Sequence, residues 1–176
     1  MLAIVATAGA ANANSYVTFS EAQAYLEARL HAEAWDTSEQ KQMQALIGAT
    51  QELDPMAWLG YRATSAQALS WPRTGVVNPD APSWTEYGSS EIPARVKRMT
   101  YELALEMLRA SDDVTVPDPN QNVIRFREKT DVIEEETEYA EPTQKAQGLA
   151  RYPRILTLGA PLMEAGSFSG QARLVR

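Results

Sequence analysis

The sequence has no cysteine, so disulfides, thiolate metal sites and cysteine nucleophiles are excluded together. It has one histidine, His31, which falls between the apolar rows of a candidate helix with no partner spaced to orient it as a general base. No G-x-S-x-G, P-loop, dinucleotide fingerprint or H-E-x-x-H occurs. No apolar run approaches the roughly 20 residues a helix needs to cross a bilayer, so no membrane partner is expected. Basic residues are the minority, 16 against 23 acidic ones, for a formal net charge of −7. That balance opposes a grip on nucleic acid by the whole molecule, while leaving room for a local basic face. Internal repeats and low-complexity tracts are missing too. The expectation is a protein that acts through its surfaces, with no catalytic step, cofactor or metal.

The 176 residues, 44% hydrophobic and 22% charged, suffice for one core-bearing domain with an appendage. Residues 91–109 organise it. Ile92, Val96, Met99, Leu103 and Met107 recur at steps of three or four, the spacing of one helical face. Tyr101, Leu105 and Leu108 form a second apolar row, and Pro93 suits the first turn. A helix apolar on two faces must be covered on two sides.

Upstream, residues 1–11 are apolar and small, and Ala11-Asn12-Ala13 has the look of a signal-peptidase site. No Lys or Arg precedes the run, so a retained arm is expected. Thr18 and Glu21 fit a capping box, predicting a helix over residues 19–34 that buries Phe19, Ala22, Leu26 and Leu30. Thr37 and Gln40 repeat the signal. The helix that follows carries Met43, Leu46, Ile47, Thr50 and Leu53 on one face and stops at Asp54-Pro55. Two such helices joined by a short link predict an antiparallel hairpin against the central helix.

Residues 56–90 mix Trp58, Trp71 and Trp84 with Gly60, Pro72, Gly75, Pro79, Pro82 and Gly88, the composition of a turn-rich connection anchored by aromatics. Two readings of Trp71 stand: a plug in the core, or a base-stacking platform beside Arg73. Arg95, Lys97 and Arg98 likewise are either a solvated face near Glu91 and Glu102 or a cluster that meets an acidic partner or a phosphate.

Residues 111–120 read as a linker. Next, a basic, β-prone run (Val123, Ile124, Arg125, Phe126, Arg127) is followed by an acidic one (Val132, Ile133, Glu134, Glu135, Glu136, Glu138). Folding at Lys129-Thr130 predicts a hairpin with Phe126 opposite Ile133 and Arg125 opposite Glu134. The Glu-rich half alternatively reads as helix. Glu134, Glu135 and Glu136 offer hard oxygen ligands, but successive strand residues face opposite ways and do not converge on a cation. After a second linker, residues 141–151, Pro153 opens a short helix through Ile155, Leu156, Leu158, Leu162 and Met163, broken near Gly159-Ala160-Pro161. The tail Gln171, Ala172, Arg173, Leu174, Val175, Arg176 is either a strand offered to another protein's sheet edge or a fraying end.

The fold class expected is mainly α: a small helical bundle with a protruding β-hairpin and extended termini. Residues 1–111 make the bundle and its arm, 112–152 the linker and hairpin, and 153–176 a short helix and tail. Partner contacts are expected at Ile124, Arg125, Phe126, Arg127 and Ile133 of the hairpin and at Gln171, Arg173, Leu174, Val175 and Arg176 of the tail. Trp71, Arg73, Arg95, Lys97 and Arg98 are the alternative, contacts to single-stranded DNA.

One resemblance runs through the whole chain. Asn14-Ser-Tyr-Val-Thr18 with Glu21-Ala22 and Ala24-Tyr25, then Gln67-Ala68-Leu69 with Trp71-Pro-Arg-Thr-Gly75, then Glu91-Ile92-Pro93, Val96-Lys97-Arg98 and Glu102-Leu103-Ala104, and last Arg173-Leu174-Val175-Arg176, occur in order. Together they resemble a family of tailed-phage and prophage head–tail connectors, also called adaptors or head-completion proteins. Its members are often labelled "DnaT-like single-stranded-DNA-binding". Residues 112–147 carry no motif of the family. The resemblance implies a ring of about a dozen copies in the virion neck, assembled in the host cytoplasm. Its partners would be other copies of itself, the portal protein and a tail or second neck protein. Double-stranded DNA would pass through the lumen without specific binding, which an acidic subunit favours because a basic wall would retain the duplex.

Overall fold

The computed structural model describes residues 2–112, 123–127, 136–139 and 148–164. It is mainly helical with an antiparallel two-stranded hairpin. The helices are α1 (Phe19–Glu27), α2 (Glu39–Leu53), α3 (Ala94–Asp112) and α4 (Pro153–Gly159). α3 is central, as its two apolar rows require. Val96, Met99 and Leu103 are buried on one row and Tyr101, Leu105 and Leu108 on the other, with Ile92 and Met107 at the margin. Pro93 lies just ahead of the helix, and its carbonyl accepts the first backbone bond, from Lys97 N at 3.1 Å.

α2 is the broadest partner of α3. Its buried face is Gln42, Ala45, Leu46, Ala49, Thr50 and Leu53, so the helix is rotated from the expected face and Met43 and Ile47 sit at its edge. Small side chains explain the rotation. They let the two helices meet face to face, and a Cβ on Gly48 would make an ordinary van der Waals contact with Met107 Sδ at 3.5 Å. The N-cap is Ser38 rather than Thr37, with Ser38 Oγ accepting from Lys41 N. α4 begins with Pro153 in its first turn and passes at Gly159 into a 3-10 turn, Ala160–Leu162, the break expected there.

α1 starts at the capping box, where Thr18 N donates to Glu21 Oε2 at 2.8 Å and Glu21 N to Thr18 Oγ1 at 3.2 Å. It ends at Glu27, seven residues short of the predicted stop. His31 takes the left-handed backbone region at φ 61°, a 3-10 turn (Glu33–Trp35) follows, and Leu30 is 77% exposed instead of buried. Trp35 explains the early stop. The turn carries its indole back to α1, where the ring sits 6.4 Å from Phe19 and Nε1 donates to Gln23 Oε1 at 3.0 Å. Burying that large ring outweighs keeping Leu30 on a continuous helix. α1 and α2 both pack on α3, as the expected hairpin against the central helix requires, but more on α3 than on each other.

The N-terminal arm is held by Asn14. Val5 N donates to its Oδ1 at 2.7 Å, and its Nδ2 donates to Ala3 O at 2.9 Å. Behind it Tyr16 and Val17 enter the core. The Tyr16 hydroxyl donates to Asp54 Oδ1, which also accepts from Ser70 N at 2.6 Å. One carboxylate thus joins the arm, the end of α2 and the loop beyond it.

Residues 56–90 contain a minimal antiparallel ladder of β1 (Tyr61–Arg62) and β2 (Arg73–Thr74). Gly60 feeds it at φ +70°, and a Cβ there would fall 2.3 Å from Thr74 O. Trp58 and Trp71 are core residues, whereas Trp84 is 92% exposed and anchors nothing. The second hairpin joins β3 (Val123–Arg127) to β4 (Glu136–Tyr139). Its register differs from the expected one: Arg125 pairs with Glu138, Phe126 with Thr137 and Arg127 with Glu136, and the register shifts between Val123 and Arg125. The predicted partners of Phe126 and Arg125, Ile133 and Glu134, lie outside the described residues. The sequence has no tight-turn dipeptide at Lys129-Thr130 to pin the register. The opposition of basic β3 to acidic β4 survives the slip. Ile133 and the tail residues Gln171, Arg173, Leu174, Val175 and Arg176 lie outside the described residues.

Candidate functional site

The loop holding Trp71 and Arg73 is closed from within. Trp71 is 1% exposed, with its ring edge-on to Trp58 at 5.8 Å and to Tyr87 at 6.1 Å. Neither face of the indole is open to a base. Arg73 donates to four backbone carbonyls, from Nε to Leu59 O at 2.6 Å, from Nη2 to Trp58 O and Gly60 O, and from Nη1 to Ser70 O. Burial lowers its pKa. Arg62 caps the carbonyls of Gln67, Ala68 and Leu69 from the other side, and Gln67 bridges Thr64 N to Leu69 O and Pro72 O. These groups build the loop and leave nothing over for a ligand.

The basic cluster at the start of α3 divides. Arg95 makes a two-pronged pair with Asp80, from Nε at 2.8 Å and from Nη2 at 2.5 Å, and the Arg95 guanidinium beside Asp80 holds that carboxyl below the usual range. Lys97 pairs with Glu21 of the capping box at 2.6 Å. Burial raises the Glu21 carboxyl, but the hydrogen bonds from Lys97 and Thr18 bring it below its ordinary value. Arg98 is exposed and reaches the Tyr25 hydroxyl. The five residues do not converge on one groove.

A different cleft does form, among α1, α3 and α4. It has a volume of about 480 Å³ and is lined by Tyr25, Arg29, Leu30, His31, Glu102, Arg109 and Arg154. At its base Arg29 grips Glu102 through two parallel bonds, Nε to Oε1 at 2.8 Å and Nη2 to Oε2 at 2.7 Å. The Tyr25 hydroxyl donates to the same Oε1 at 2.9 Å, and its ring stacks on Tyr101 at 4.6 Å. Burial alone would raise the Glu102 carboxyl, yet the bonds from Arg29 and Tyr25 hold it below the usual carboxylate range. Burial pushes the Tyr101 hydroxyl up to about 12. Glu102 is therefore held as an anion by Arg29 and Tyr25. Around it Arg109 bonds Glu106 and the His31 carbonyl, and Arg154 stands exposed with no side-chain hydrogen bond among the described residues. Three guanidinium groups face one carboxylate, so the cleft is cationic on an acidic molecule.

Sequence reasoning found Arg98 and Glu102 but missed Arg29, Arg109 and Arg154. The legible signal was the stripe at 95, 98, 102, 106 and 109, which shares one face of α3. Among the described residues no group of three or more His, Asp or Glu is placed to hold a metal ion, and no helix is long and apolar enough to cross a membrane.

A family model described as "Putative DnaT-like ssDNA binding protein" matches residues 1–176. The chain belongs to that family. No curated protein and no solved structure matches it. Within this DnaT-like family member, the Trp-Pro-Arg-Thr-Gly segment, which carries part of the resemblance, is a structural closure, and the open chemistry lies in the cleft of α1, α3 and α4.

Proposed function

We propose that the chain is a structural connector of a tailed phage. It would assemble with its own copies and with the portal and tail proteins at the virion neck, around a conduit through which double-stranded DNA slides, and it would perform no chemical step. The observation that carries this reading is the internal use of Trp71 and Arg73. A single-strand binder needs exposed aromatic platforms beside free cations, and the pair best placed by sequence to supply them is locked into the fold. The ordered blocks resembling head–tail connectors support it further, as does the acidic chain, which suits a wall that duplex DNA must slide past. The contacts it assigns are the hairpin residues Ile124, Arg125, Phe126, Arg127 and Ile133 and the tail 171–176, the latter by strand addition. Electron microscopy of the protein mixed with its portal tests it. A ring stacked on the portal is expected, and removal of the last ten or so residues, the reach of a short strand, should abolish docking.

Binding of single-stranded DNA is the second reading. The family description favours it, and so does the cationic cleft with Tyr25 at its edge. Titration with oligothymidylate at two salt concentrations separates the two. Micromolar affinity with a steep salt slope supports the DNA reading, and no binding at low salt ends it.

A further inference from the structure

We infer that the cleft of α1, α3 and α4 receives the acidic segment of a second copy of this chain, residues 131–141. The inference rests on the self-assembling connector reading and names one of its interfaces.

The receptor side is set by charge that the fold leaves over. Glu102 already accepts three hydrogen bonds and is matched by Arg29. It spends its hydrogen bonds on Arg29 and Tyr25 and meets Arg154 only through space, so Arg154, exposed and without a side-chain hydrogen bond among the described residues, and Arg98, exposed at the Tyr25 edge, keep donors for a further carboxylate. Guanidinium groups in a fixed cleft favour planar carboxylates, which they bind in pairs. Leu30, 77% exposed at the rim, adds an apolar contact beside them.

The ligand side is a segment of the chain itself. Asp131, Glu134, Glu135, Glu136, Glu138 and Glu141 crowd six carboxylates into eleven residues, interleaved with Val132, Ile133 and Tyr139. Glu136 and Glu138 lie opposite Arg127 and Arg125 in the ladder, while Asp131, Glu134 and Glu135 lie outside the described residues and add three carboxylates to the same segment of the sequence. A two-stranded sheet is marginal by itself in water, and the β3–β4 sheet has two strands. Docking against another copy would support it. A cleft on one copy and an acidic segment on the next make a head-to-tail contact, the kind that closes rings. Copies carrying −7 each repel one another, so a matched pair of opposite charge also selects the orientation in which they meet.

The test uses the full chain and a fluorescent synthetic peptide of residues 131–141. Anisotropy titration at low salt should give saturable binding that weakens as salt rises. The Arg98→Glu/Arg154→Glu variant, altered only at exposed positions, should bind the peptide at least about tenfold more weakly. A peptide carrying Glu134→Arg and Glu135→Arg should recover much of that loss on the variant. No binding by the wild type at low salt, or equal affinity for both proteins, overturns the inference. So does oligothymidylate that displaces the peptide and binds more tightly than it. Mixing full-length Arg98→Glu/Arg154→Glu protein with full-length Glu134→Arg/Glu135→Arg protein should yield hetero-oligomers in mass photometry that neither forms alone; if only monomers remain, the contact between copies is refuted. Rings on the portal from a chain that ignores the peptide would sink this interface and spare the connector. Peptide binding without portal assembly would do the reverse.

Discussion

In the loop of residues 56–90, arginine serves the backbone. Arg73 and Arg62 tie down seven carbonyls in all, and the indole of Trp71 is enclosed by Trp58 and Tyr87. In the cleft of α1, α3 and α4, arginine serves a carboxylate and leaves cations over, while the aromatic pair Tyr25–Tyr101 keeps an edge near solvent. Similar residue types build a closed piece of scaffold in one place and an open charged surface in the other. The difference is whether the guanidinium donors have all found internal acceptors; the indole nitrogens of Trp58 and Trp71 have none among the described residues, but they are buried away from any ligand. Residue type alone is thus a poor guide to a binding site in this chain.

Substitutions at four positions break or sharpen that contrast. The largest effect is expected from Trp71→Ala, which empties the centre of the closed loop and should cost about 3–5 kcal/mol in denaturant unfolding. Removal of one member of the buried Arg29–Glu102 pair, with side-chain exposures of 17% and 7%, comes next. Glu102→Ala strands the guanidinium and should cost about 3 kcal/mol. The pair also predicts a pH dependence. The Glu102 carboxyl is held below its unfolded value of 4.5, so its contribution is present above pH 4.5 and disappears as pH falls through the lower folded value. Acid-unfolding curves of Glu102→Gln should lack that component and be shallower than wild type. Arg73→Ala leaves four carbonyls without their donor and should cost about 2 kcal/mol, with no change in peptide binding at the cleft. Smallest is Arg154→Glu, expected to move stability by less than about 0.5 kcal/mol while altering the cleft's affinity for carboxylates. A stability loss there as large as that of Arg73→Ala would erase the distinction between scaffold and surface.

How legible this was in the sequence varied with how local the cause is. α3 and the Thr18–Glu21 cap were readable because periodicity and capping are written within a few residues. The early end of α1 was not, because its cause is the packing of Trp35 against Phe19 and Gln23 across a turn. The face of α2 was misjudged for a related reason. Hydrophobicity pointed to Met43 and Ile47, while close approach to α3 selected Ala45 and Ala49. The hairpin's first strand was legible from the β-prone run 123–127, while the Glu-rich half read as strand or helix and nothing local to Lys129-Thr130 fixed the register. The cleft was the least legible part. Arg29 and Glu102 are 73 residues apart, and Arg154 arrives on a helix that follows the hairpin. Only their counterparts on α3 shared a readable stripe.

The central claim is that this protein acts by joining other proteins and leaves unpaired DNA alone. Analytical ultracentrifugation tests it most directly, with the labelled chain run beside its portal in one cell and beside oligothymidylate in another, both at low salt. The account predicts that the chain travels with the portal and sediments unchanged in the presence of the oligonucleotide. A chain that moves with the oligonucleotide and ignores the portal would contradict it.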